Sequence, residues 1–218
     1  MATSHKKLTL ILVVVIGLVA VLFWYQAKRF FSITITASPQ PLISDSIFDL
    51  PITTSTRLIG NPGAALTLTY FFDLNDPKSR SFLPTLIQFA NAHPSDARLV
   101  LQDFPIDHLF SAPATLAHRA AWCAGDKQGA FLSTVSVRPK TVLDQTQLTH
   151  IASELGLNIA AWESCLSSSV AIQALADSQT LGRTLGMQTV PTLFVNYKEL
   201  NLNADFNLKQ LLDSLITP

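Results

Sequence analysis

The chain has 218 residues, a formal net charge of +0, 48% hydrophobic residues, 14% charged residues and two cysteines. That length suffices for one self-sufficient core plus extra segments, and two cysteines exclude a disulfide-dense scaffold and any Cys₄ zinc site. Neutral charge argues against a general nucleic-acid binder, which needs an electropositive face, and the composition is too apolar for disorder. The mean hydropathy of +0.32 is high for a soluble domain, so part of the apolar content should sit in one place.

That place is the N-terminus. Leu8 to Tyr25 reads LTLILVVVIGLVAVLFWY, where only Thr9 and Gly17 fall outside the hydrophobic set. As a helix these 18 residues span about 27 Å, close to the ~30 Å hydrocarbon core of a bilayer. Trp24 and Tyr25 stand where an interfacial aromatic belt would. Residues 8–25 are therefore expected to be one transmembrane anchor, after a short cytoplasmic N-terminus over residues 1–7. The rival readings are a cleaved signal peptide, with Lys6 and Lys7 as its basic region, and a buried core helix. Against cleavage, the apolar run exceeds the ~7–15 residues of a signal's apolar region, and no Ala-x-Ala-like site follows closely. Lys6 and Lys7 nearly balance Lys28 and Arg29 across the span; His5 and the α-amino group tip the count toward a cytoplasmic N-terminus.

Residues 26–56 read as a linker or stalk, since Phe30 to Thr56 carries Pro39, Pro41 and Pro51, many Ser and Thr, and little charge. Ser32 to Thr36 alternates as an edge strand does, which keeps that option open. The main domain is expected over 57–218. After the turn signal Gly60-Asn61-Pro62-Gly63, Ala65 to Asp73 is predicted to be a buried strand. Asp76-Pro77 predicts a helix start, with Asp at the N-cap and Pro at the first helical position. Phe82, Leu86, Phe89 and Ala90 give that helix one apolar face; Pro84 predicts a kink, and His93-Pro94 its end. Ala97 to Phe104 is a second predicted strand. A helical insertion follows over about 112–185, with an Ala-rich segment at Ala114–Cys123, then Thr146–Leu155, Ala160–Cys165 and Val170–Leu185, and with Gly156 and Gly186 as helix stops. A strand at Thr192–Val195, a return strand near Glu199–Leu202 and a helix over Asp205–Ile216 complete a small α/β sheet with an inserted helical lobe.

Several of these segments resemble one family. Ile59-Gly60-Asn61-Pro62-Gly63-Ala64, the strand ending in Phe72-Asp73, and Asp103-Phe104-Pro105 resemble the first half of DsbA-like thioredoxin-fold proteins. Cys123-Ala124-Gly125 with Gln128-Gly129-Ala130-Phe131, Glu154-Leu155-Gly156-Leu157-Asn158, Trp162-Glu163-Ser164-Cys165-Leu166, and Gly186-Met187-Gln188-Thr189-Val190-Pro191-Thr192 keep that family's order toward the C-terminus. The resemblance implies an α/β thioredoxin-like fold with an inserted helical subdomain, preceded here by the transmembrane helix. It also implies placement at the cytoplasmic (inner) membrane, single-pass, with the C-terminal domain extracytoplasmic or periplasmic. It implies a cis Val190–Pro191 bond beside a groove next to the active-site helix. It implies a structural disulfide between Cys123 and Cys165; two buried free thiols and a redox-active pair are the other readings of these cysteines.

Members of that family are protein disulfide oxidoreductases whose C-x-x-C opens the first helix, where the helix N-terminus stabilises a thiolate. Counting from Asp73, those positions fall on Asp76-Pro77-Lys78-Ser79, and neither Asp76 nor Ser79 can form a disulfide. Asp76 is expected to be a helix cap. Ser79 as a substitute nucleophile would need a base and an oxyanion hole, and nothing local sets His93, His108, His118 or His150 beside it. The scattered histidines give no metal-ligand spacing, so no catalytic residue, metal or cofactor is expected. The leading functional expectation is a membrane-tethered, redox-inactive module that binds an extended polypeptide or envelope-protein partner, and no nucleic acid, in the groove beside Pro191. The alternative is a thiol–disulfide oxidoreductase using Cys123 and Cys165 or a partner's thiol. A purely structural role in an envelope complex is the third reading.

Overall fold

A computed structural model of the chain describes residues 15–26, 42–53, 56–106, 112–138, 144–203 and 206–216. It divides into two compact units, Met1–Gln40 and Pro41–Pro218. In the first unit, residues 15–26 form helix α1, whose apolar side chains are exposed along its length, Phe23 by 76%. Among the described residues no helix is long and apolar enough to cross a membrane; positions 8–14 of the expected anchor lie outside the described residues.

The second unit is built on a six-stranded sheet. Its strands are β1 (Ile43–Ile47), β2 (Arg57–Gly60), β3 (Leu66–Phe72), β4 (Ala97–Asp103), β5 (Thr192–Val195) and β6 (Lys198–Leu200), in the spatial order β1-β6-β5-β3-β4-β2. β3 and β4 run parallel, joined by helix α2 (Pro77–Ala92), and the other pairings are antiparallel. Between β4 and β5 the chain forms α3 (Ala112–Cys123), a 3₁₀ turn, α4 (Gln128–Val137), α5 (Gln145–Glu154), α6 (Ile159–Leu166) and α7 (Ser169–Thr184). Helix α8 (Leu208–Ile216) closes the unit.

β3 is buried along its whole length because both faces of the sheet are covered. Its alternation sorts the core: Leu66, Leu68, Tyr70 and Phe72 enter the larger apolar cluster, together with Leu99 and Leu101 of β4 and Leu193 and Val195 of β5. Phe71 points the other way and joins Phe104, Phe194 and Leu50 in a second cluster. Helix α2 continues through Pro84 to Ala92 and buries Leu83, Leu86, Ile87, Phe89 and Ala90, while Phe82 is only half-buried. Phe82 nonetheless packs against the larger cluster, so Leu83 and Ile87 widen the face expected from Phe82, Leu86, Phe89 and Ala90. Gly156 and Gly186 sit at φ +67° and +74°, and in both cases the following amide bonds back into the last turn, Leu157 N–H to Ala152 O and Met187 N–H to Gly182 O. Each is a helix stop made by a residue that tolerates the left-handed region.

The stalk read over 26–56 is interrupted by structure. Ile43–Ile47 pairs with β6, Ile43 opposite Leu200 and Ile47 opposite Lys198, and Leu50 is buried against Phe71. Such a short edge strand, with Asp45, Ser46 and Ile47 exposed, carries little apolar periodicity for a sequence reading to detect. The alternating Ser32–Thr36 lies outside the described residues. Arg57–Gly60 is the other edge strand, paired with β4 from Arg57 opposite Leu101 to Gly60 opposite Arg98.

Where α7 crosses the sheet, Gly182 lies against Phe104: a Cβ at this position would stand 2.4 Å from the ring. Gly182→Ala is expected to destabilise the domain by about 1–3 kcal/mol through overpacking. The check is a lower urea midpoint with unchanged slope, and part of the loss should return when Phe104→Leu is added.

Candidate functional site

The start of α2 is a closed hydrogen-bonded arrangement. Asp76 is the N-cap, its backbone extended at φ −85° and ψ 120°, and its carboxylate accepts the Ser79 N–H at 2.5 Å. Pro77 follows at the first helical position, where its missing N–H costs nothing. Ser79 is fully buried; its hydroxyl accepts the Asp73 N–H at 3.3 Å and its carbonyl accepts the Tyr70 hydroxyl at 2.8 Å. No histidine among the described residues bonds to it, so a nucleophilic Ser79 has neither base nor access. Pro77 and Lys78 are exposed, and Lys78 Nζ donates to Asn203 Oδ1 at 2.8 Å in the loop before α8. Burial, then the nearby Asp76 carboxylate, push the Tyr70 phenol well above its ordinary value, so it stays a donor.

Behind this helix start lies a charge cluster that sequence reading missed. β3 and β4 end side by side, with Phe72 in register with Asp103. The carboxylates of Asp73 and Asp103 converge on the fully buried imidazole of His118 in α3. Nδ1 lies 2.5 Å from Asp103 Oδ1, and Nε2 lies 3.7 Å from Asp73 Oδ1. Burial alone works against the imidazolium, but the Asp103 carboxylate and then Asp73 outweigh it and raise His118 to about 9. The Leu74 N–H, 3.1 Å from Nε2, favours the neutral ring instead. Two carboxylates outweigh one amide dipole, so the charged form prevails at neutral pH. Burial pushes the Asp73 carboxyl up, yet His118 and the N–H groups of Asn75 and Ile106 hold it below its ordinary value. The available signal in the sequence was two aspartates ending successive predicted strands. Arg80 is also buried, and it donates to the Val135 carbonyl at the end of α4, which suits a cation at a helix C-terminus.

The remaining site residues lie in separate places. Val190–Pro191 is cis, and Val190 packs, partly buried, against the second apolar cluster. The Val190 N–H and C=O have no hydrogen-bond partner among the described residues. Cys123 at the end of α3 and Cys165 in α6 form a disulfide with Cα atoms 5.8 Å apart, leaving no free cysteine. Among the described residues no group of His, Cys, Asp or Glu is arranged to hold a metal ion.

Two outcomes follow from this geometry. The folded pKa of His118 lies above its unfolded value, so its contribution is fully present below pH ~6.5 and is lost as pH rises through about 9. Urea midpoints measured across that window should fall by an equivalent of about 3 kcal/mol, and His118→Gln should flatten the slope. Replacing both cysteines by alanine should cost about 4 kcal/mol, as expected for releasing a loop of this length.

A family model described as Thioredoxin matches residues 53–214. No curated relative matches the chain. Among solved structures, a thioredoxin-like oxidoreductase from Silicibacter pomeroyi DSS-3 is 25% identical at a TM-score of 0.63, covering 75% of this chain and 91% of that one. The thiol-disulfide exchange protein alpha-DsbA2 from Wolbachia pipientis is 17% identical at 0.63, covering 74% and 88%. Oxidised BdbD from Bacillus subtilis is 16% identical at 0.64, covering 78% and 98%. At these identities the latter two share the fold. The family match spans most of the chain, so the chain belongs to the thioredoxin family.

Proposed function

We propose that this protein is a membrane-tethered, extracytoplasmic polypeptide-binding module whose DsbA-like domain has given up thiol–disulfide exchange. The observation that carries this reading is the chemistry at the start of α2. Asp76 and Ser79, which the family resemblance puts at the places of the redox cysteines, are engaged as cap and buried hydrogen-bond partner. A carboxylate gains from the same helix N-terminal field that would stabilise a thiolate, but it cannot attack a disulfide. The two cysteines present are consumed by a bridge between α3 and α6. Binding has support of its own, because the unpaired backbone groups of Val190 suit strand-type addition of an extended peptide. The chain's own Leu50 and Phe48 belong to or pack against the same apolar cluster as Val190. A partner would therefore meet mainly the Val190 backbone and the exposed Pro77, Lys78 and Thr189. The anchor rests on the apolar run Leu8–Tyr25, and the extracytoplasmic side suits a disulfide-bonded domain.

The full chain is expected to show no turnover in a glutathione-coupled disulfide-reduction assay. Asp76→Cys combined with Ser79→Cys should create that activity, because the first new thiol would sit at the N-cap of α2. Turnover by the unaltered chain that disappears in Cys123→Ser would overturn the reading in favour of a redox-active Cys123–Cys165 pair. An extended, cysteine-free polypeptide should bind about tenfold more weakly to Val190→Glu than to the parent, and equal binding would remove the groove from the proposal. In cell fractionation, the chain should resist alkaline extraction from membranes, whereas release would point to a cleaved signal.

A further inference from the structure

A cleft of about 280 Å³ opens beside α7, away from any role assigned above, near the lower end of the ~300–1,000 Å³ usual for ligand pockets. It exists because β2 begins at Arg57, opposite Leu101, so that Gln102 and Asp103 of β4 have no paired strand on that side. Helix α7 supplies the facing wall, where Ser178 donates to Gln102 Oε1 at 2.5 Å.

The lining carries opposite charges that do not meet. The Arg57 guanidinium lies 4.4 Å over the Trp122 ring, and no carboxylate among the described residues pairs with it. The same indole has a buried N–H with no acceptor among the described residues. On α7, Asp177 accepts Gln173 Nε2 at 2.7 Å and has no cationic partner among the described residues. Asp103, the second acid of the lining, is turned onto His118. Stacking thus fixes the position of the cation, and a neighbour on its own helix fixes that of the acid, with apolar Leu101 and Leu181 also in the lining. A lone anion would meet Asp177, and a lone cation would meet Arg57; a ligand carrying both charges satisfies both walls.

We infer that this cleft binds a small aliphatic α-amino acid, its carboxylate on Arg57, its ammonium on Asp177 and its side chain against Leu181. The test is titration calorimetry of the full chain in detergent with three probes: L-leucine, 4-methylpentanoate, which lacks the ammonium, and 3-methylbutylamine, which lacks the carboxylate. Saturable binding of L-leucine is expected, with both single-charge probes at least about tenfold weaker. Arg57→Met and Asp177→Asn should each weaken L-leucine at least about tenfold while leaving the urea midpoint near that of the parent. An L-leucine titration no different from dilution, equal binding of the three probes, or full affinity in both variants would overturn the assignment. The readout is independent of polypeptide binding beside Pro191, so either reading can fail alone.

Discussion

The imidazole of His118 is held between two carboxylates in a place from which water is excluded, and much of the second unit is arranged around that contact. Asp73 comes from the end of β3, Asp103 from the end of β4 and His118 from α3, so one buried ion cluster ties the central strand pair to the helical lobe. Two buried carboxylates without a cation would carry a heavy desolvation cost, and one imidazolium reduces the local charge to a single negative unit. The cluster also reaches the start of α2. Asp73 organises the turn that precedes the helix through Asn75 N–H, and its own N–H goes to the Ser79 hydroxyl.

This arrangement explains how the helix start remains well ordered without the thiols that such a position serves in redox members of the fold. Asp76 supplies the cap, Ser79 fills the buried second position without strain on the hydrogen bonding, and Tyr70 closes the arrangement from β3. The helix start is thereby held by its own hydrogen bonds, with Asp76 and Ser79 both engaged. At the surface near it lie the exposed Pro77 and Lys78.

Legibility followed the range of the interactions. β3, β5, α2 and the lobe helices α3, α5, α6 and α7 were visible because their signals are local: a run of β-branched and aromatic residues after a turn, Asp-Pro at a helix start, Gly156 and Gly186 at helix ends; α4 was not read as a separate helix. β1 and β2 escaped because they are short, half-exposed edges with sparse apolar residues. Asp76 could be recognised as a cap from its neighbours alone. His118 could not be distinguished from an ordinary lone histidine, since Asp103 is 15 residues away and Asp73 belongs to a different strand. Only the parallel register of β3 and β4 brings the two acids together.

By itself the sequence determined the order of most strands and helices from β3 onward, the concentrated apolar run at residues 8–25, and the absence of thiols at the start of α2. These depend on residue identity and near-neighbour spacing, which a chain displays before it folds. The tertiary structure decided which charges are paired and which are left facing a cleft. It turned Asp103 onto His118, left Arg57 stacked on Trp122 with no carboxylate partner among the described residues, and joined Cys123 to Cys165 across 42 positions. Those outcomes depend on sheet register and helix packing, because a charge's partners are set by what folding brings within a few ångströms of it and shields from water.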